Sequence, residues 1–144
     1  MPFYFFDTSG AVKIYHVELG SDKVKRIYDS PDDGILISNL TYTEAFSALN
    51  RKKQNGAISQ FQFATAINQF ILDYLNKYFV VDLDDNIRIQ AGQLIMRRNL
   101  RSADSIQLAT ALENKDLNLI FVCADEKLCN AAMSEGLQVL NPEK

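Results

Sequence analysis

The chain is short of soft metal ligands. It has one histidine, His16, and two cysteines, Cys123 and Cys129, six positions apart. A structural zinc centre takes four such groups, one more than the chain has, so none is expected. One cysteine falls in a strand pattern and the other in a helix pattern, which suits free, mostly buried thiols in a reducing compartment. Net positive charge is missing too. Fifteen Lys and Arg against eighteen Asp and Glu leave a formal charge of −3, so no global field draws the chain to nucleic acid. A metal enzyme is not excluded by this, because a bound cation inverts the field locally. The N-terminal MPFYFFDTSG has no basic region and only a short apolar run, so it does not read as a signal peptide. No run reaches the length of a membrane span. A soluble, cytoplasmic protein is expected. Linkers, repeats and low-complexity segments are also missing, and 144 residues fit a single domain, 1–144. The 47% of apolar residues is enough for a core and too much for disorder.

The apolar residues come in short runs separated by helical patterns. Phe3–Phe6, Ile35–Ser38, Phe79–Val81, Leu119–Cys123 and Leu137–Leu140 read as strands of a parallel sheet. Thr8-Ser9-Gly10 is expected to turn the chain into a helix over Ala11–Glu18. Further helices are expected over Asp22–Tyr28, Thr41–Gln54, Ser59–Lys77, from Asp84 or Asp85 to Arg98, over Arg101–Leu112 and over Asp125–Ser134. Strands alternating with helices point to a three-layer α/β domain with a mainly parallel sheet.

Within it, RSADSIQLATAL, from Arg101 to Leu112, stands out. Ser105, Leu108, Ala109 and Leu112 share one helical face, to be buried. Asp104 lies on the flank of that face, two residues after Ser102, the expected N-cap. A carboxylate half withdrawn from water needs a partner or a cation. Active sites of open parallel sheets lie at the C-terminal ends of the strands. Asp7 directly follows the first strand, and Asp125 follows the fourth after one small residue. Glu44 and Asp104 stand on first helical turns. Each acid alone has a structural explanation: Asp7 and Asp125 as N-caps, Thr41 and Glu44 as a capping box, Asp104 as a macrodipole partner. Four carboxylates converging on one edge would repel one another, and a hard divalent cation relieves the repulsion. Oxygen ligands without His or Cys point to Mg²⁺ or Mn²⁺. Such a site suits phosphoryl chemistry.

Three segments, DTSGAVKIY at Asp7–Tyr15, LRSADSIQLATAL at Leu100–Leu112 and FVCADEKLCNAA at Phe121–Ala132, resemble the PIN-domain ribonucleases, in particular the VapC-type toxins of bacterial toxin–antitoxin pairs. YTEAFSAL around Glu44 and the closing GLQVLNP fit the same pattern. The ordered set carries the resemblance; single motifs do not. It implies a five-stranded sheet of order 3-2-1-4-5 and a metal-dependent endoribonuclease that hydrolyses RNA phosphodiesters. By motif position it implies that Asp7, Glu44 and Asp104 are the core metal-binding, catalytic acids, with Asp125 as a more variable fourth. Ser9 is then the small hydroxyl residue that orients a carboxylate or contacts phosphate. The resemblance also implies a homodimer and a cognate antitoxin partner.

Among the cations, Arg101 is the best candidate to meet an RNA phosphate, being three residues before Asp104. For Lys13, Arg97 and Arg98 a solvated helix face is expected. His16 is expected to serve packing or surface rather than a general base. Asp82, Asp84 and Asp85 read as structural, Asp32 and Asp33 as turn residues. The Phe- and Ile-rich Ser59–Lys77 helix is mostly core, and apolar positions beyond one stripe would suit a dimer or antitoxin surface. A receiver domain would want an acidic pair where Asp7 is followed by Thr8. A haloacid-dehalogenase-type phosphatase would want Asp where Ser9 stands. The stronger rival is a PIN-like scaffold that binds RNA or protein without cutting; the presence of all four acids favours the nuclease.

Overall fold

The computed structural model describes residues 1–144. In chain order the elements are β1 (Phe3–Phe6), α1 (Thr8–Tyr15), α2 (Ser21–Asp29), β2 (Gly34–Ser38), α3 (Leu40–Gln54), α4 (Gln60–Asn76) and β3 (Phe79–Val81). Then come α5 (Asp85–Arg98), α6 (Ser102–Glu113), a 3₁₀ turn (Lys115–Leu117), β4 (Ile120–Val122), α7 (Glu126–Ser134) and β5 (Gln138–Leu140). The sheet has five strands in the order β3-β2-β1-β4-β5, and every pairing is parallel. This is the expected topology. None of the helices is long and apolar enough to cross a membrane.

Strand residues alternate between two cores, as a two-residue period demands. Phe5, Leu36 and Phe121 face α5, α6 and α7, in a cluster that includes Leu94, Leu108 and Leu128. Phe6, Ile35, Ile37 and Val122 face the other way, among Val12, Val24, Ala45 and Phe70 from α1, α2, α3 and α4. Burial on both faces explains why these strands read as unbroken apolar runs. Both cysteines are buried and free, as expected.

Four local expectations are corrected. Thr8-Ser9-Gly10 is not a turn but the first turn of α1. Asp7 caps it by accepting the Gly10 N–H at 3.0 Å. Gly10 suits close packing there, because a Cβ would lie 3.1 Å from the Val122 carbonyl oxygen of β4. The helix also ends at Tyr15 rather than Glu18. The Ser21 hydroxyl meets the Lys13 and His16 carbonyls, and His16 turns extended. Third, α6 is capped by Arg101, without a side-chain bond, and Ser102 is its first helical residue. Fourth, Thr41 and Glu44 make no capping box. The N-cap is Asn39, and both side chains turn away to tertiary partners. By contrast Ser59 and Gln62 form a full capping box on α4, and Asp84 caps α5.

Several of the other acids and cations have structural roles. Lys13 is 4% exposed and is held by Glu18 at 3.3 Å and Glu143 at 2.8 Å, so it is not on a solvated face. Arg97 and Arg98 both clasp Glu135, at 2.8 and 2.7 Å, and hold its carboxyl down to about 2. Asp82 accepts from Asn39, and Asp85 pairs with Arg88. Asp73, buried in α4, accepts from the Tyr15 and Tyr28 hydroxyls and from Gln69, which fastens α1 and α2 to α4. His16 is half-buried, and burial, then Lys52, lowers its pKa. The long helix buries Ala66, Ile67, Phe70 and Asp73 but leaves Phe61, Leu72 and Leu75 exposed, an apolar excess beyond one stripe.

Candidate metal centre

Parallel β1 and β4 are neighbours, so the residues that follow them emerge side by side. Asp7 follows β1, and Asp125 follows β4 as the N-cap of α7. Glu44 comes from the second turn of α3, not the first as expected, because the helix is capped at Asn39 and starts at Leu40. Asp104 comes from the first turn of α6. These helices lie on opposite faces of the sheet. All four acids line a single cleft of about 240 Å³, together with Thr8, Ser9, Arg51, Arg101 and Gln107. A larger recess of about 440 Å³ between the end of α1 and the start of α4 is mostly apolar and holds no acid.

Three of the carboxylates are anchored through one oxygen by hydrogen bonds, and Asp104 only by an ion pair. Asp7 Oδ1 accepts from the Ser9 hydroxyl at 2.7 Å and from the Gly10 N–H. Ser9 in turn accepts the Ala124 N–H at 3.0 Å, tying the end of β1 to the end of β4. Asp125 Oδ1 accepts the N–H groups of Lys127 and Leu128. Asp104 Oδ2 is 3.6 Å from the Arg101 guanidinium. Glu44 Oε1 receives the Thr8 hydroxyl and the Gln107 amide, each at 2.8 Å. The Gln107 amide has two hydrogens, and its other close acceptor is Thr41 Oγ1 at 2.9 Å. The Thr41 hydroxyl can then donate to Thr8, 3.2 Å away, and the Thr8 hydroxyl to Glu44. The reverse amide orientation would press an oxygen against a carboxylate, so the chemistry of the partners fixes it.

The second oxygen of every one of these acids carries no protein hydrogen bond, and none is sealed from solvent. The one buried side-chain atom without a partner is Gln107 Oε1. As the side chains stand, no three acids are close enough to hold one ion. The cleft thus offers four uncommitted carboxylate oxygens from four separate elements rather than a closed cage. Oxygen donors alone, with both thiols buried and bonded to backbone carbonyls, fit a hard divalent cation and not zinc.

The electrostatics agree. Asp7 is 4% exposed, and burial pushes its carboxyl up to about 7, helped by Asp104 and Glu44 and opposed by its bonds from Ser9 and Gly10. Asp104 is raised as well, first by burial and then by the charge of Asp125, with Arg101 opposing. Desolvation leads and mutual repulsion follows.

The sequence from residue 4 to 133 matches the family model of the PIN domain. The chain belongs to the PIN-domain family. Two curated relatives of this PIN protein, Ribonuclease VapC45 and Ribonuclease VapC49 of Mycobacterium tuberculosis strains CDC 1551 and H37Rv, are each 31% identical to it over 139 residues. The alignment covers 96% of this chain and 95% of theirs. Among solved structures, M. tuberculosis VapC20, described as a sarcin–ricin loop cleaving toxin, superposes with a TM-score of 0.70 at 15% identity, covering 96% and 97% of the two chains. FitAcB from Neisseria gonorrhoeae gives 0.70 at 14%, with the same coverage. A toxin–antitoxin complex from Klebsiella pneumoniae gives 0.64 at 16%. At these identities the structures speak for the PIN fold alone.

The geometry brings all four expected acids, with Ser9 and Arg101, to one cleft. Thr8, Thr41, Gln107 and Arg51 were not anticipated. Gln107 had a signal: it is three residues after Asp104, one turn along α6, in a helix whose other buried residues are small or apolar.

Proposed function

We propose that this PIN-domain protein is a Mg²⁺- or Mn²⁺-dependent endoribonuclease, the toxin of a toxin–antitoxin pair, acting in the cytoplasm. The observation that carries the reading is the cleft of four acids, each with an uncommitted oxygen, three of them with the other oxygen anchored by hydrogen bonds. Asp7, Glu44 and Asp104 would hold the ion, with Asp125 as a fourth ligand. When bound, the cation supplies charge to the phosphate and lowers the pKa of an attacking water. The chain supplies the rest. Ser9 keeps Asp7 turned into the cleft, Thr8 and Gln107 do the same for Glu44, and the Asp125 cap fixes that carboxylate against α7. Arg101, exposed at the rim, tempers Asp104 and is placed to meet an incoming phosphate. Burial of Asp7 favours its neutral form, so the proton must leave before the ion is held. The VapC ribonuclease relatives support the reaction class, and the toxin–antitoxin neighbours support a cognate antitoxin. The exposed Phe61, Leu72 and Leu75 give a homodimer or an antitoxin apolar surface to bury.

The test is direct. Asp7→Asn and Asp104→Asn should each abolish Mg²⁺- or Mn²⁺-dependent RNA cleavage and leave the circular dichroism of the folded protein intact. Full cleavage by either variant, or by wild type in excess chelator, would sink the proposal.

A further inference from the structure

Five of the six arginines have a carboxylate partner: Arg26 with Asp22, Arg88 with Asp85, Arg97 and Arg98 with Glu135, and Arg101 with Asp104. Arg51 has none. Its single bond is from Nη1 to the Ser47 hydroxyl, at 2.8 Å. A guanidinium has five N–H donors, so four are unmet by protein.

The position of this cation matters. Glu44, Ser47, Ala48 and Arg51 follow the i, i+3, i+4, i+7 spacing of one helix face, and all four line the acid cleft. The Ser47 bond draws Arg51 back along α3 toward Glu44, the direction in which helical side chains lean. Arg51, Ala48, Ser9 and Val12 also form the wall shared with an adjoining recess of about 400 Å³. The two recesses are therefore one groove. In the second recess the other cations are already neutralised, Lys13 by Glu18 and Glu143 and Lys52 by Glu18 at 2.8 Å. Arg51 is the one cation in that groove with no acid of its own. Arg101 enters the cleft from α6, on the opposite face of the sheet.

We propose that Arg51 binds the phosphate next to the one held at the acids, and that the joined recesses are the path of the RNA strand on the α3 side. This rests on the ribonuclease reading above. Two cations on opposite walls, with the acids between them, suit a strand that continues on both sides of the cut, which is an internal phosphodiester rather than a chain end. Arginine fits this task because its planar fork meets phosphate oxygens in pairs.

The experiment measures Mn²⁺-dependent cleavage of a fluorescein-labelled single-stranded RNA by wild type, Arg51→Ala, Arg51→Lys and, as a control on α2, Arg26→Ala. For Arg51→Ala, KM should rise about tenfold, as loss of one charged hydrogen bond implies, with kcat within about twofold. The slope of log KM against log salt should shrink by about one for Arg51→Ala, be kept by Arg51→Lys, and be unchanged in Arg26→Ala. Thermal stability should be the same in all four. An unchanged KM and salt slope in Arg51→Ala would overturn the proposal, and so would a fall in kcat alone, which would mean that Arg51 acts through Glu44. Absence of RNA cleavage by wild type would instead overturn the ribonuclease reading, with Arg51's role falling as a consequence.

Discussion

The side-chain amide of Gln107 donates to Glu44 Oε1 at 2.8 Å, joining α6 to α3 across 63 residues of sequence. It fixes the direction in which Glu44 offers its free oxygen. Gln107→Leu, similar in volume, removes this donor and leaves Glu44 with Thr8 alone. We expect Mn²⁺ affinity, read by calorimetry, to fall by about 10- to 100-fold, as for other groups that orient a metal ligand. Affinity equal to wild type would mean that Thr8 suffices.

Asp7 sets a pH dependence. Its folded pKa of about 7 lies above the ordinary 3.8, so the folded protein holds that proton more tightly than the unfolded chain. The stabilisation is full below about pH 4 and is lost as pH rises through about 7. Asp104, also raised, acts in the same sense. Glu135, held down to about 2 by its arginines, acts in the opposite sense, but its effect appears only below its ordinary range. The metal-free protein should therefore melt at higher temperature near pH 5 than near pH 7.5, with a slope of up to about 1.4 kcal/mol per pH unit. In Asp7→Asn the slope should largely vanish and the neutral-pH melting point should rise. A wild-type melting point that climbs with pH over this range would contradict the assignment.

Divalent cation should compete with that proton. Addition of Mg²⁺ or Mn²⁺ at neutral pH should raise the melting temperature of wild type through its binding free energy. The gain should weaken as pH falls below about 7, where Asp7 holds its proton. Scanning calorimetry with and without chelator measures both, and an equal gain near pH 5 would contradict the competition.

Ser9 keeps the Asp7 carboxyl lower than burial alone would leave it. Ser9→Ala also strands the Ala124 N–H. The variant should lose about 1 to 2 kcal/mol of stability. The rising limb of its cleavage–pH profile should move to higher pH. A profile that superposes on wild type would show that Ser9 has no hold on Asp7.

Gly10 holds α1 against β4. Gly10→Ala gains helix propensity, but its Cβ would meet the Val122 carbonyl oxygen at 3.1 Å and Val122 Cγ1 at 3.2 Å. Backbone cannot yield as a side-chain tip does, so a net loss of about 1 to 3 kcal/mol is expected. Chemical denaturation measures it. An Ala variant as stable as wild type would mean that α1 shifts freely, and Asp7 with it.

Much of this was readable from the residues alone, for reasons that can be named. Strands buried on both faces are continuous apolar runs, so Phe3–Phe6 and Ile35–Ser38 announced themselves. Ser59 and Asp84 cap as their types suggest, because nothing else competes for their side chains. The order of the four acids followed from strand ends and helix starts. The misses came where a distant partner outbid the local pattern. Thr41-x-x-Glu44 has the spacing of a capping box, but Thr8 and Gln107 claim both side chains. Lys13 looked like a wet helix residue, yet Glu143, 130 residues away, closes over it. Arg51 was invisible as a special cation because its distinction is what it lacks, and only the full set of ion pairs reveals that.

The register of β1 beside β4 has a temporal side. Asp7 is made early, yet the strand that brings Asp125 next to it, and the Ala124 N–H that Ser9 awaits, lie beyond Ile120. Until β4 is made, the edge of β1 that pairs with it has no partner, and the cleft lacks its wall on that side. The four acids can therefore come together only after Asp125 has been added, late in the order of synthesis.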